Sequence, residues 1–256
     1  MDFISLKKNG NIGIVTLDRP PVNALTYQMY SELFEVFDLI DKDEDIWCVV
    51  IRAEGRLFCA GNDVKELDSR TENANLFENY GAMVEKGLSA VVKCKVPVIA
   101  AVQGTAVGAG FCICTYSDVV LATEKAKFGI TEIKVGIIGG APEASWSLPP
   151  KVVRYMALTG DLLTAEEAYR HSFVHKIVPD GELVNEAVAL AQKITANPPI
   201  ALQYMKQSLE NIYDSDALAR KIDFDGGKTG LHQKTEDYKE ALRAFVEKRP
   251  PAYKGK

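Results

Sequence analysis

The stretch Val96–Glu132, VPVIAAVQGTAVGAGFCICTYSDVVLATEKAKFGITE, decides how the rest of the chain is read. It opens on an apolar, β-rich run, Val96 to Val102, followed by the glycine-rich segment Gly104-Thr-Ala-Val-Gly-Ala-Gly110. Then come an apolar stretch of helical length, a second short apolar run from Asp118 to Ala122, and a lone carboxylate at Glu132. A strand that turns through glycine into a buried helix presents bare backbone N–H groups at a helix N-terminus. That arrangement suits an enzyme that stabilises an oxyanion.

Outward from this stretch, the chain alternates strand and helix. Residues 3–17 read as a hairpin around Gly10, and Arg19-Pro-Pro-Val-Asn23 breaks its second strand. Thr26 can cap a helix whose apolar residues Met29, Leu33, Phe34, Phe37 and Ile40 fall at helical spacing. Trp47 to Arg52 is a continuous apolar strand of the kind buried on both faces. Gly55 to Asp63 is a turn-rich loop, and a short helix is expected from Val64. The polar stretch Arg70 to Asn75 reads as a mobile loop, and Phe77 to Val92 as a helix.

Beyond Glu132, Val135 to Pro142 is another glycine-rich turn, with Pro142 suited to the first turn of a helix. Val152 to Leu158 reads as helix, Thr164-Ala-Glu-Glu167 as a capping box, and Ile177 to Pro179 as a strand. Helices are expected over Glu182 to Ala196, Pro199 to Tyr213 and Thr235 to Arg249. No strand is expected after about residue 179, and this shift to helix is a candidate domain boundary.

The 256 residues are 47% apolar and 25% charged, enough for a sizeable core. A net charge of −5 with no basic block argues against nucleic-acid binding. The N-terminus lacks the apolar core of a signal peptide, and no run is long and apolar enough to span a membrane, so the expected setting is the cytoplasm. The five cysteines sit mostly in apolar runs and read as buried free thiols, and the three histidines show no zinc spacing; no metal site is expected.

Two glycine-containing loops, Cys59-Ala-Gly-Asn-Asp63 and Val107-Gly-Ala-Gly110, each follow a buried strand. If their backbones converge, one N–H from each could hold a developing negative oxygen, each worth roughly 3–4 kcal/mol. Two ordinary tight turns are the plainer alternative on spacing alone. Neither loop carries a phosphate or dinucleotide motif. Glu132, between Ile130 and Ile133, should have a raised pKa suited to proton transfer; a solvated loop glutamate is the alternative. Glu143 reads as a helix-start residue favoured by the dipole, or as a second acid. Cys112 and Cys114 read as packing residues, since no histidine lies nearby to activate a thiol.

These motifs together resemble the crotonase superfamily, the enoyl-CoA hydratase/isomerase family. Arg19-Pro-Pro-Val-Asn-Ala-Leu25 resembles its N-terminal signature, Phe58-Cys-Ala-Gly-Asn-Asp-Val-Lys-Glu66 its first oxyanion loop, and Pro97 to Gly110 its second. Phe128-Gly-Ile-Thr-Glu-Ile133, Leu158-Thr-Gly160 and Phe245-Val-Glu-Lys-Arg-Pro250 match in order and spacing, so the likeness spans nearly the whole chain. It implies an α/β fold: a spiral of strand-strand-helix units over residues 1–195, then a C-terminal helical trimerisation region over 196–256. It implies an acyl-CoA thioester as substrate, coenzyme A being part of that substrate rather than a cofactor, and a homotrimer or homohexamer. The implied catalytic residues are Glu132 and the backbone N–H groups of Asn62 and Ala109. The implied coenzyme A contacts are Ala24, Ala60, Gly61, Asn62, Asp63, Val64, Lys65, Gly108, Ala109 and Gly140.

Two departures bear on the reaction. Family hydratases use two glutamates, and the earlier one falls at Cys112 here, where burial should raise the thiol pKa. Family isomerases that move a double bond from the 3- to the 2-position commonly keep only the later glutamate, which fits Glu132. Secondly, the glycine-rich segment after that glutamate is replaced by Gly140-Ala-Pro-Glu-Ala-Ser-Trp146, which introduces Glu143 as a candidate acid. The expectation is an isomerase or other one-base enzyme on enoyl-CoA, with hydration close behind. Decarboxylase, hydrolase or lyase chemistry, or an acyl-CoA-binding protein without catalysis, are the alternatives; a nicotinamide oxidoreductase is the remotest.

Overall fold

The computed structural model describes residues 1–66, 74–212 and 215–254. The N-terminal hairpin forms as expected from β1 (Ile4–Asn9) and β2 (Ile12–Leu17), turning at Gly10 with φ +58°. Helix α1 (Tyr27–Lys42) starts where Thr26 accepts a hydrogen bond from the Met29 N–H at 3.3 Å. The apolar strand is β3 (Cys48–Ala53), parallel to β2. Residues 64–66 are helical. The mobile-loop expectation needs correction: residues 74 and 75 already belong to helix α2 (Ala74–Val92), three residues longer than its pattern indicated, while 70–73 lie outside the described residues.

The stretch Val96–Glu132 resolves into β4 (Val98–Val102), β5 (Thr105–Val107), α3 (Ala109–Tyr116), β6 (Val119–Thr123) and β7 (Lys127–Gly129), ending in a 3-10 turn at Glu132–Val135. Every residue of β4 is buried, and so is every residue of α3, which explains an apolar run without amphipathic period. The short helix α4 (Ala141–Ala144) and α5 (Pro150–Thr159) follow. A two-residue strand, β8 (Leu163–Thr164), leads into α6 (Ala165–Arg170), capped by the complete Thr164/Glu167 box. Strand β9 (Lys176–Val178) and helices α7 (Leu183–Thr195), α8 (Pro199–Ile212), α9 (Ser215–His232) and α10 (Glu236–Glu247) complete the chain.

Two sheets result. The larger runs β1-β2-β3-β4-β6-β9, parallel from β2 onward, and the smaller runs β5-β7-β8. The units β4-β5-α3 and β6-β7 with the 3-10 turn each place one strand in the large sheet and the next in the small one. The main core lies between the large sheet, α1, α2 and α3, with Tyr30, Phe37, Phe58, Phe111 and Phe128 fully buried. Truncating one of these phenylalanines to Ala would cost roughly 3–5 kcal/mol. A second cluster packs α7 on the other face of the sheet. Helix α8 is tied to the sheet by Lys206, 4% exposed, which donates to Asp118 Oδ2 at 2.8 Å and to the Val96 carbonyl at 3.2 Å.

Candidate active site

Strand β5, hidden inside the glycine-rich segment, assembles the site. On one side the Phe58 and Cys59 N–H groups donate to the Thr105 carbonyl at 3.1 and 3.2 Å, and the Val107 N–H donates to the Cys59 carbonyl at 3.0 Å. On the other side β5 pairs in parallel with β7, and the Gly108 N–H donates to the Gly129 carbonyl at 3.0 Å. The 59–62 loop, the Gly108 turn and Glu132 therefore leave the small sheet at the same end.

The two loops converge. Gly61 has φ +83°, and a Cβ built on it would stand 3.0 Å from the Val107 carbonyl oxygen and 3.7 Å from the Ala109 nitrogen. Gly108 has φ +55°, and its Cβ would lie 3.5 Å from Gly61 Cα and 3.3 Å from Glu132 Oε1. Glycine is required at both turns by the positive φ and by this closeness of backbone to backbone. Among the described residues, the Asn62 and Ala109 N–H groups donate to no backbone carbonyl, and Ala109 opens α3, where the first N–H groups have no intrahelical partner.

The N-terminal signature secures the first loop. Arg19 pairs with Asp63 at 2.8 Å and donates to the Ala24 carbonyl at 2.9 Å. Asn23, at φ +52°, accepts from the Arg19 N–H and donates to the Glu54 and Leu57 carbonyls. The Leu25 N–H donates to Gly61 and the Asp63 N–H to Leu25, bridging Leu25 to Asn62.

Glu132 as a residue is half-buried, but its carboxyl is sealed, with Oε2 unpartnered among the described residues. Burial first, then the Glu143 charge, pushes its pKa up to about 8, against backbone N–H groups of Glu132 and Thr131 that favour the anion. Glu143 lies on α4, 7% exposed, and its Oε2 is likewise unpartnered. Burial and then Asp225 raise its pKa to about 7. Glu143 does stand in the first turn of α4, as a helix-start residue would, but with its carboxyl buried. Cys112 lies near both glutamates; burial first, then the charges of Glu143 and Glu132, holds its thiol well above the ordinary value, so it is a neutral group at this position. All five cysteines are free and buried.

Beside this junction lies a mostly apolar cleft of about 610 Å³ between α2, the 137–146 segment and α9. Asn62, Tyr80, Tyr116, Glu143, Trp146 and Asp225 are among its walls. Of the residues expected in the site, only Asn62 and Glu143 line the cleft. Glu132, Gly108, Ala109 and Gly140 meet at its end: Gly140, at φ +81°, brings its backbone so close that a Cβ would be 3.2 Å from Glu132 Oε1. Ala24, Ala60, Gly61 and Asp63 form the loop behind that end; Val64 packs toward Val135, Tyr238 and Leu242, and Lys65 is exposed. A separate hollow of about 690 Å³, walled by Asp118, Arg170 and His175, contains neither glutamate. Sequence reasoning missed Tyr30. This buried α1 side chain donates a short hydrogen bond to Asn62 Oδ1, and its only signal was one more aromatic at helical spacing.

The fold is α/β, and two carboxyls, Glu132 and Glu143, are buried beside a mostly apolar cleft. A family model described as enoyl-CoA hydratase/isomerase matches residues 7–256, and the chain belongs to that family. It is 34% identical to the probable mitochondrial enoyl-CoA hydratase of Dictyostelium discoideum, over 98% of this chain and 90% of that protein. It is 31% identical to the 1,2-epoxyphenylacetyl-CoA isomerase of Escherichia coli K12, over 100% of both. The solved carnitinyl-CoA hydratase of Mycobacterium avium superposes with a TM-score of 0.87 at 34% identity, covering 99% of this chain and 98% of that one. Among the described residues, no helix is long and apolar enough to cross a membrane.

Proposed function

We propose that the protein moves the double bond of an enoyl-CoA thioester from the 3- to the 2-position. The Asn62 and Ala109 N–H groups hold the thioester oxygen, and Glu132 is the base. Its carboxylate takes a proton from C2, the negative charge passes to the thioester oxygen as a dienolate, and a proton returns at C4. Each backbone donor contributes roughly 3–4 kcal/mol to stabilising that charge. The observation that supports this reading is the approach of the Gly61 and Gly108 backbones to each other, and of the Gly108 and Gly140 backbones to Glu132 Oε1. On this reading the Asn62 and Ala109 N–H groups and the high-pKa carboxyl of Glu132 serve one reacting centre. The loops about Ala24, Ala60 to Lys65 and Gly140 would hold coenzyme A as part of the substrate.

Glu143 favours a second reading, hydration, in which it holds the water or receives the second proton in place of the glutamate missing at Cys112. Supporting it are the buried, unpartnered Oε2 of Glu143 and its closeness to Glu132. Incubation with 2-enoyl-, 3-enoyl-, hydroxyacyl- and malonyl-type CoA esters, followed by chromatographic separation of the isomers and mass spectrometry, separates the readings. Isomerisation converts the 3-enoyl ester at unchanged mass, and hydration adds one water to the 2-enoyl ester. Esters bound but unchanged over hours would leave only an acyl-CoA-binding protein.

The same proposal includes self-association as a homotrimer or homohexamer. Helix α8 exposes Ile200, Tyr204 and Met205 to 61–65%, a face suited to burial between copies. Sedimentation at micromolar protein reads the state, and a monomer would refute this part.

A further inference from the structure

We infer that the Asn62 side chain is a specificity-determining donor that reads an oxygen on the acyl group, close to the thioester, and that Tyr30 and Tyr80 are the positioning residues that aim it. The inference rests on the acyl-CoA reading above and adds the kind of acyl group. Asn62 Oδ1 accepts hydrogen bonds from two hydroxyls, that of Tyr30 on α1 and that of Tyr80 on α2, the latter at 3.4 Å. A carboxamide oxygen has two lone pairs, and these two donors occupy both. The amide nitrogen must then face the other way. Among the described residues it donates to no acceptor, and Asn62 lines the cleft.

The clamp is rigid. Tyr30 is fully buried and Tyr80 is 3% exposed, with ring centroids 6.1 Å apart at 89°. Helices α1 and α2 touch because residue 87 is glycine; a Cβ there would stand 2.7 Å from the Tyr30 carbonyl oxygen. Burial, and then the neighbouring Tyr80, holds the Tyr30 phenol well above its ordinary pKa, so it stays a donor. A hydrocarbon chain beside this amide would leave two N–H donors unpaired, whereas a carbonyl, hydroxyl or ether oxygen would accept from one. The donor belongs to the residue whose own backbone N–H meets the thioester oxygen. A short side chain anchored there reaches only atoms a few bonds from that carbonyl, at C3 or C4.

The test is calorimetric binding of two esters that the proposed reaction does not convert, butyryl-CoA and 3-oxobutyryl-CoA, to wild type and variants. Wild type should bind the oxygenated ester roughly 10-fold or more tightly, as expected of a site built to hydrogen-bond an oxygen. Asn62→Leu should bring the ratio to about one. Asn62→Asp keeps the shape and the tyrosine bonds but replaces the donor by an acceptor, and should bring the ratio below one. Tyr30→Phe with Tyr80→Phe frees the amide to rotate and should lower the ratio part of the way. A general loss of packing would weaken both esters alike and leave the ratio unmoved; that result, or a wild-type ratio near one, overturns the inference. Wild type binding neither ester would instead overturn the acyl-CoA reading on which it rests.

Discussion

Two buried carboxyls with displaced pKa values give the site its pH behaviour. Glu132 must be ionised to take a proton, and with its pKa near 8 it is mostly protonated at neutral pH. The rate limb of kcat/KM should therefore rise with pH through about 7 to 8, instead of through the ordinary carboxylate range. The Glu143 charge raises the Glu132 pKa, so Glu143→Gln should move that limb to lower pH, as a pH–rate profile would record. The same shifts act on folding. The folded state binds more protons than the unfolded chain between about pH 4.5 and 8, so stability falls as pH rises through that window. Of these residues Glu132 was only half legible in the sequence: a lone carboxylate between Ile130 and Ile133 suggested burial, but a solvated loop glutamate fitted equally well. Glu143 was ambiguous, since a glutamate after proline at a helix start is most often solvated; only the fold shows it sealed beside Cys112. Tyr30 was not legible as a site residue, because a buried tyrosine at helical spacing reads as core.

At the scale of the element, the site depends on α3 resting against the Cys59 segment. The contact is made at Gly110, where a Cβ would lie 2.6 Å from both Cys59 Cβ and the Cys59 carbonyl oxygen. Gly110→Ala must push the helix away, and Ala109, its first residue, moves with it. The expected cost is about 1–3 kcal/mol in stability, read by urea denaturation. A displacement near 1 Å also costs about 100-fold in kcat/KM. Most elements were readable from period and punctuation: the Thr26 and Thr164 caps, the hairpin at Gly10 and the apolar runs of β3 and β4 all stand as expected. The three strands of the small sheet were not. Strands β5, β7 and β8 have only two or three residues each, too short for any alternation to show, and pairing across distant segments alone makes them strands. The loop convergence that the glycines only suggested is a consequence of that pairing.

Across the whole molecule, family and fold were legible because several motifs occur in one order over nearly all of the chain, and the family match over residues 7–256 agrees. The part played by the last third was less so. Its helices do more than follow the sheet: Thr229 on α9 exchanges hydrogen bonds with both the N–H and the carbonyl of Ile138, at 3.0 and 2.9 Å, and α9 supplies one wall of the cleft. Tyr238 and Leu242 of α10 pack on Val135, at the end of the turn that carries Glu132. The C-terminal helices thus pack beside the turn that carries Glu132 and wall the cleft, and the proposed reaction requires Glu132 to form an enolate there. The most direct measurement is exchange of the C2 protons of butyryl-CoA in heavy water, followed by mass spectrometry. Wild type should incorporate deuterium at C2, and Glu132→Gln should slow this by about 1000-fold, within the range for a general base, while binding the ester with little change. Exchange by Glu132→Gln at the wild-type rate, or none by wild type that binds the ester, would contradict the account.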